Sequence, residues 1–175
     1  MSQILAGNKK IMETNSIKQN NYGFLFIEIM IAVALISIVF ITLLGVGALT
    51  LNVSSSIQKQ TQADSLIKEE FEALRNFRDG TIWATNGLGA VNTGSSNPYH
   101  LVNSSNKWAL ETGAETTGIF SRQIIFDKVS RTVGGDIDEV YNSLNNDVDT
   151  IKATVSVWWP GRELHTVSYF TNWKQ

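Results

Sequence analysis

The feature that most constrains this chain is an uncharged apolar run over residues 29–51, IMIAVALISIVFITLLGVGALTL. At 1.5 Å of helical rise per residue the run spans about 34 Å, while the hydrocarbon core of a bilayer is about 30 Å thick. It therefore predicts a membrane-spanning helix. A carboxylate, Glu28, directly precedes the run. Because an ionisable group is expensive to place in lipid, its presence there indicates a function.

The charges before the run favour a cytoplasmic N-terminus. Lys9, Lys10 and Lys18 stand against one acid, Glu13, which gives this stretch a net charge of +2 and leaves −4 for the rest of a chain of net charge −2. Basic residues collect on the cytoplasmic side of single spans, so the rest of the chain is expected outside. An ordinary secretory signal cut after residues 46–48 is the alternative, but the run is longer than the apolar region of such signals.

The stretch Gly23-Phe24, followed by Glu28 and the apolar run, resembles the type III signal of type IV prepilins and type II secretion pseudopilins. The resemblance implies that a prepilin peptidase cuts between Gly23 and Phe24 and methylates the new amino terminus on Phe24. Residues 1–23 would then be a cleaved leader, and residues 24–51 would be a retained transmembrane and assembly helix. Glu28 would take the assembly role of the glutamate in this signal.

Physical chemistry gives Glu28 a matching role. The new amine at Phe24 is positive, and a carboxylate four residues further on can neutralise an amine in a low dielectric, either its own or that of a neighbouring subunit. Such a pair would set the axial register between packed helices. Initiation at Met1 and initiation at Met12 both remain open, and the second would omit two of the three leader lysines.

Residues 52–80 predict an amphipathic helix that continues from the apolar run. They lack proline, and glycine appears only at Gly80, which is placed to end the helix. Earlier, Gly45 and Gly47 allow either local stretching or close helix packing in the membrane. Apolar residues recur at three- and four-residue spacing and form one stripe, namely Val53, Ile57, Ala63, Ile67, Phe71 and Leu74.

From residue 81 onward the sequence predicts a β-rich globular head, residues 81–175. Residues 84–97 are rich in Gly, Asn, Ser and Thr and predict a long surface loop. Alternating runs then predict an antiparallel sheet of about four to five strands, with Pro160-Gly161 turning the last hairpin. These runs are residues 99–102, 107–110, 118–130, 151–159 and 164–173.

The predicted fold class is α+β, with a long N-terminal helix packed on a C-terminal antiparallel sheet. The final hairpin resembles the C-terminal strands of minor pilins and of some minor pseudopilins, and this resemblance implies a pilin-like fold. Trp158 and Trp159 are adjacent on a strand, so they are expected on opposite faces of the sheet. The one outside the core is expected to be exposed, to cover a helix or to meet a neighbouring subunit, and if exposed it is a candidate glycan platform.

Composition argues against enzymatic chemistry. The absence of cysteine excludes disulfides and thiolate metal sites. His100 and His165 lie in strand-like runs, and no nucleophile elbow or phosphate loop is present. The acidic stretch at residues 136–149 does not fit a calcium-loop motif and predicts a solvated connection. We therefore predict no catalytic residue, no metal site and no cofactor.

The resemblance implies a structural subunit of a type IV pilus-like filament, and the resemblance of the final hairpin favours a minor pilin over a major one, which stays open. The resemblance implies as partners the prepilin peptidase and methyltransferase, other pilin subunits, an inner-membrane assembly platform and, before assembly, membrane lipid. The chain would lie in the cytoplasmic membrane first and in an extracellular or periplasmic filament afterwards.

Three alternatives stay open: a type II secretion pseudopilin, a pilus-borne adhesin or DNA-binding subunit, and a signal-anchored surface protein that never polymerises. The net charge gives no broad support for nucleic-acid binding. A local basic patch would have to come from Lys107, Arg122, Lys128 and Arg131.

Overall fold

The computed structural model describes residues 22–173. Most of the predicted leader, including both candidate initiators Met1 and Met12, lies outside the described residues. The described part of the chain divides into two compact units between Leu51 and Asn52. One helix, α1 (Tyr22–Gly80), contributes residues 22–51 to the first unit and residues 52–80 to the second.

The described part of the first unit is entirely helical. Its most apolar 18-residue window has a mean hydropathy of 2.9, and none of that window is buried within the protein. By length and composition the helix can cross a membrane. Its hydroxyl groups are satisfied internally, because Ser37 donates to the Val33 carbonyl at 2.7 Å and Thr50 to that of Val46 at 2.9 Å.

The second unit is an antiparallel sheet covered by the part of α1 from Ala63 onward. Its strands are β1 (Tyr99–Ser104), β2 (Lys107–Thr112), β3 (Glu115–Thr117), β4 (Phe120–Ser130), β5 (Asn146–Trp159) and β6 (Arg162–Thr171). The sheet order is β2-β1-β4-β5-β6, and β3 also pairs with β4. The α+β class is confirmed, but the described sheet has six strands rather than four to five.

The core lies between α1 and one face of the sheet. On α1 the buried stripe begins at Ala63, whereas Val53 and Ile57 are exposed, so the first two members of the predicted stripe do not reach the core. Phe71 stacks on Phe170 of β6 with ring centroids 6.3 Å apart. Strands β4 and β5 supply the centre through their alternate buried residues, which are Phe120, Ile124, Phe126, Ala153, Val155, Val157 and Trp159.

The last hairpin forms as predicted. Trp159 pairs with Arg162, which leaves Pro160 and Gly161 as a two-residue turn. Gly161 has a φ of +79°, a conformation that side chains with a Cβ rarely adopt. Trp159 is buried and Trp158 is half-buried, which agrees with the prediction that they face opposite sides of the sheet.

The segment predicted as a surface loop, residues 84–97, is partly structured. The short helix α2 (Trp83–Asn86) and a 3₁₀ turn (Leu88–Ala90) begin it, and Leu88 is fully buried. Trp83 donates its indole N–H to the Val148 carbonyl at 3.0 Å. A Cβ at Gly89 would overlap that indole ring, so glycine is needed there for close approach.

Candidate functional site

The apolar surface of residues 24–51 is the candidate site of assembly. Every residue in this range is exposed, and each large apolar side chain is at least 55% exposed. Soluble monomers rarely expose contiguous apolar patches beyond a few hundred Å², so a surface of this kind requires lipid or other helices around it. Lipid and neighbouring helices are both environments that a membrane-borne subunit would meet.

Glu28 is the only ionisable side chain in this range, and it is exposed. It lies four residues after Phe24, so the two share one face of α1, separated by about 6 Å of helical rise. No Lys, Arg or His occurs within residues 24–51. A cationic side chain that pairs with Glu28 must therefore come from outside residues 24–51.

Gly45 and Gly47 lie two residues apart on the same helix and so point to different faces of it. A Cβ built at either position meets no atom within 4 Å. Neither glycine is required by packing within the described chain. Both interpretations from the sequence, local stretching and close packing against another helix, therefore remain predictions.

A second cluster, which sequence reasoning missed, fixes α1 to the sheet. Glu70 is only 1% exposed, and its Oε2 lies 3.1 Å from Nη1 of Arg122 on β4. Its Oε1 accepts a hydrogen bond of 2.9 Å from the backbone N–H of Leu101 on β1. One carboxylate thus ties the helix to two strands. Glu70 lies three residues after Ile67 and four before Leu74, on the buried stripe, and this position is the signal that could have revealed it.

Arg122 also pairs with the carboxylates of Glu115 and Glu69. Its Nε donates to Glu115 at 2.6 Å, and its Nη1 lies 3.3 Å from Glu69. Burial alone would lower the pKa of Arg122, but attraction to Glu70 and the bond to Glu115 outweigh burial and raise this pKa. Burial raises the pKa of Glu70 in spite of Arg122 and the Leu101 N–H, which both favour the carboxylate. The guanidinium therefore stays charged.

The acidic stretch at residues 136–149 is held by internal bonds. Arg131 Nε donates to Asp147 at 2.6 Å, and the Asp149 N–H donates to the same carboxylate at 2.9 Å. Burial alone would raise the pKa of Asp147, but hydrogen bonds from Thr150 and Arg131 outweigh it and lower the pKa. Within residues 22–173, no three acidic or histidine side chains come together as a group that could hold a metal ion.

The remaining sequence candidates are dispersed over the sheet. Arg122 and Arg131 are engaged in the ion pairs above, so of the proposed basic patch only Lys107 and Lys128 are exposed, on β2 and β4. This arrangement gives no local support to DNA binding. His100 on β1 lies 3.9 Å from Glu111, whereas His165 is on β6, with β4 and β5 between the two histidines.

No protein-family model, no curated protein and no solved structure matches this chain. By its fold the chain is an α+β protein whose single long N-terminal helix carries an apolar, fully exposed segment with one carboxylate.

Proposed function

We propose that the chain is a structural subunit, a minor pilin, of a type IV pilus-like filament. The observation that carries this proposal is the surface of residues 24–51, which is wholly exposed, long enough to span a bilayer and charged only at Glu28. A permanent anchor has no need of a carboxylate four residues from the predicted cleavage point. A helix that leaves lipid to pack against its own copies does need a polar group to define its register.

Processing comes first in the proposed sequence of events. The peptidase cuts after Gly23 on the cytoplasmic side and methylates Phe24, which leaves a charged secondary amine at the new terminus. Before assembly the helix rests in the cytoplasmic membrane with the second unit outside, in keeping with the basic stretch at residues 9–18.

Assembly follows through the same helix. In the filament the apolar surface of one subunit is covered by the helices of its neighbours, which replace lipid. The Glu28 carboxylate neutralises the terminal amine of an adjacent subunit, and in a dry helix bundle a misaligned subunit would leave both charges unpaired. This penalty makes correct axial register the favoured arrangement.

The buried pair in the second unit supports a mechanical role. Because Glu70 and Arg122 join α1 to β1 and β4, the sheet is fixed to the helical residues that carry it. The sheet would be carried along whenever this part of α1 moves during filament extension.

Substitution at Glu28 tests the assembly role. Glu28→Ala is expected to be processed normally but to be lost from sheared filaments, measured as the ratio of filament-borne to membrane-borne subunit by immunoblotting. Leu35→Ala, a change of similar size on the same exposed surface, is the matched control and should incorporate at near wild-type levels. Normal incorporation of Glu28→Ala would contradict the proposed pairing.

A further inference from the structure

A cleft of about 460 Å³ opens in the second unit where α1 and β6 both end. Its volume falls in the range of sites for small molecules, about 300–1,000 Å³. The side chains that matter to its chemistry come from two chain segments far apart in sequence. They are Arg78, Asp79, Ile82, Trp83, Asn172 and Trp173.

The apolar part of the cleft is exposed but held in place. Trp173 is 61% exposed and Ile82 is 68% exposed. The Trp173 indole N–H donates to Asp79 Oδ1 at 3.1 Å, so the ring is oriented by a polar bond rather than by burial. A large aromatic side chain that is fixed yet uncovered is typical of a binding surface.

The polar groups of the cleft are also oriented by the protein. Asp79 Oδ1 accepts from Arg78 Nε at 2.9 Å, and the Arg78 guanidinium lies 5.7 Å from the centre of the Phe170 ring. The Asn172 side chain donates to Asp149 at 3.0 Å, and its backbone N–H donates to the Asp149 carbonyl at 2.8 Å. Groups fixed in this way need little reordering to bind a ligand.

Among residues 22–173, the charged side chains that line the cleft are Arg78 and Asp79, and they form an ion pair. An ionic ligand would have to break this pair, whereas a neutral ligand with both hydroxyl groups and an apolar face would leave it intact. Saccharides have this character, because a hexose ring carries C–H groups on one face and hydroxyl groups around its rim.

We propose that this cleft binds a neutral saccharide, with a hexose or N-acetylhexosamine ring stacked on Trp173 and its hydroxyl groups hydrogen-bonded to Arg78, Asp79 or Asn172. Ile82 extends the apolar surface beside the ring. The inference rests on the second unit alone and does not depend on filament assembly.

The test uses the full chain in phosphatidylcholine nanodiscs, because maltoside detergents carry the chemistry being probed. Binding to an array of neutral hexose and N-acetylhexosamine oligosaccharides would be screened first, and the strongest ligand titrated by calorimetry. Trp173→Ala should weaken binding at least tenfold, and Trp173→Phe should retain part of the affinity. Tyr169→Ala removes a 46% exposed aromatic from β6 outside the cleft and should leave affinity unchanged.

Ile82→Asp provides a second variant at an exposed position if Trp173→Ala proves unstable, and it too should weaken binding. The proposal is overturned if no neutral glycan binds above the level of empty nanodiscs, or if only sialylated or sulfated glycans bind. Equal losses for Tyr169→Ala and Trp173→Ala would also overturn it.

Discussion

Arg122 Nη1 lies 3.1 Å from Glu70 Oε2, and the Glu70 side chain is almost wholly buried beneath the sheet. The pair joins α1 to β4 across the core. Removing Glu70 would leave Arg122 with Glu115 and Glu69 but would take away the most buried of its three carboxylate partners, and losing one member of a buried pair is usually more damaging than losing the pair as a unit. Glu70 and Arg122 are therefore expected to be the polar contact on which the second unit depends most.

Glu70→Ala should lower the free energy of unfolding by about 2–3 kcal/mol, because the Leu101 N–H loses its acceptor and Arg122 loses its most buried partner, keeping only Glu115 and Glu69. Urea denaturation of the full chain in micelles, followed by tryptophan fluorescence, measures this loss. Glu72→Ala is the matched control, since Glu72 is an exposed helix residue paired with Arg75 and should contribute less than about 1 kcal/mol. If Glu70→Ala and Glu72→Ala lowered the free energy of unfolding equally, Glu70 would not be a special contact between α1 and the sheet.

The ion pair between Arg131 and Asp147 should stabilise the second unit less in acid than at neutral pH. Its pKa is lowered in the folded protein, so the unfolded chain takes up the proton first as the pH falls. The contribution of the Arg131–Asp147 pair is fully present above the ordinary aspartate value of 3.8 and is lost as the pH drops through the lower folded-state value. The difference in urea midpoint between wild type and Asp147→Asn should thus narrow below about pH 4. If the difference in urea midpoint stayed constant below about pH 4, the Arg131–Asp147 pair would not be the source of the stability.

The turn of the last hairpin requires glycine at position 161. Because its φ is +79°, Gly161→Ala should destabilise the second unit by about 1–2 kcal/mol. Gly134→Ala serves as control, since a Cβ there would meet its nearest neighbour, Thr132, at 3.6 Å, an ordinary contact. Thermal unfolding by circular dichroism should separate the two variants, and identical melting temperatures would show that the turn carries no such strain.

The sequence predicted most features that depend on local periodicity. Ala63, Ile67 and Phe71 were identified as one helix stripe because their spacing follows the helical repeat, and the hairpin was identified from Pro160-Gly161 between two alternating runs. The stripe alone could not show that Val53 and Ile57 fall short of the core, since that depends on where the sheet lies. Local pattern thus fixes which face is apolar but not how far the partner surface extends.

Features that join distant residues were missed for a different reason. Glu70 and Arg122 are far apart in sequence and meet only in the folded protein. In the sequence, two adjacent glutamates on a helix are typical of a solvent-exposed face. Strand β3 has only three residues, too few to show alternation, and in the polar segment at residues 84–97 only Leu88 and Val91 offer apolar contacts with the core. The candidate assembly residues Gly23, Phe24 and Glu28 came from a local motif, and their roles stay predictions.

Mass spectrometry of the mature amino terminus measures where the chain is cut. The full chain would be expressed with a prepilin peptidase, with Gly23→Val as the blocked variant and Gly7→Val as a glycine control in the leader. Pilin-type processing gives a chain that begins at N-methylated Phe24 for wild type and Gly7→Val, and an intact leader for Gly23→Val. An unprocessed wild-type chain, or one that begins near Leu49, would rule out this processing.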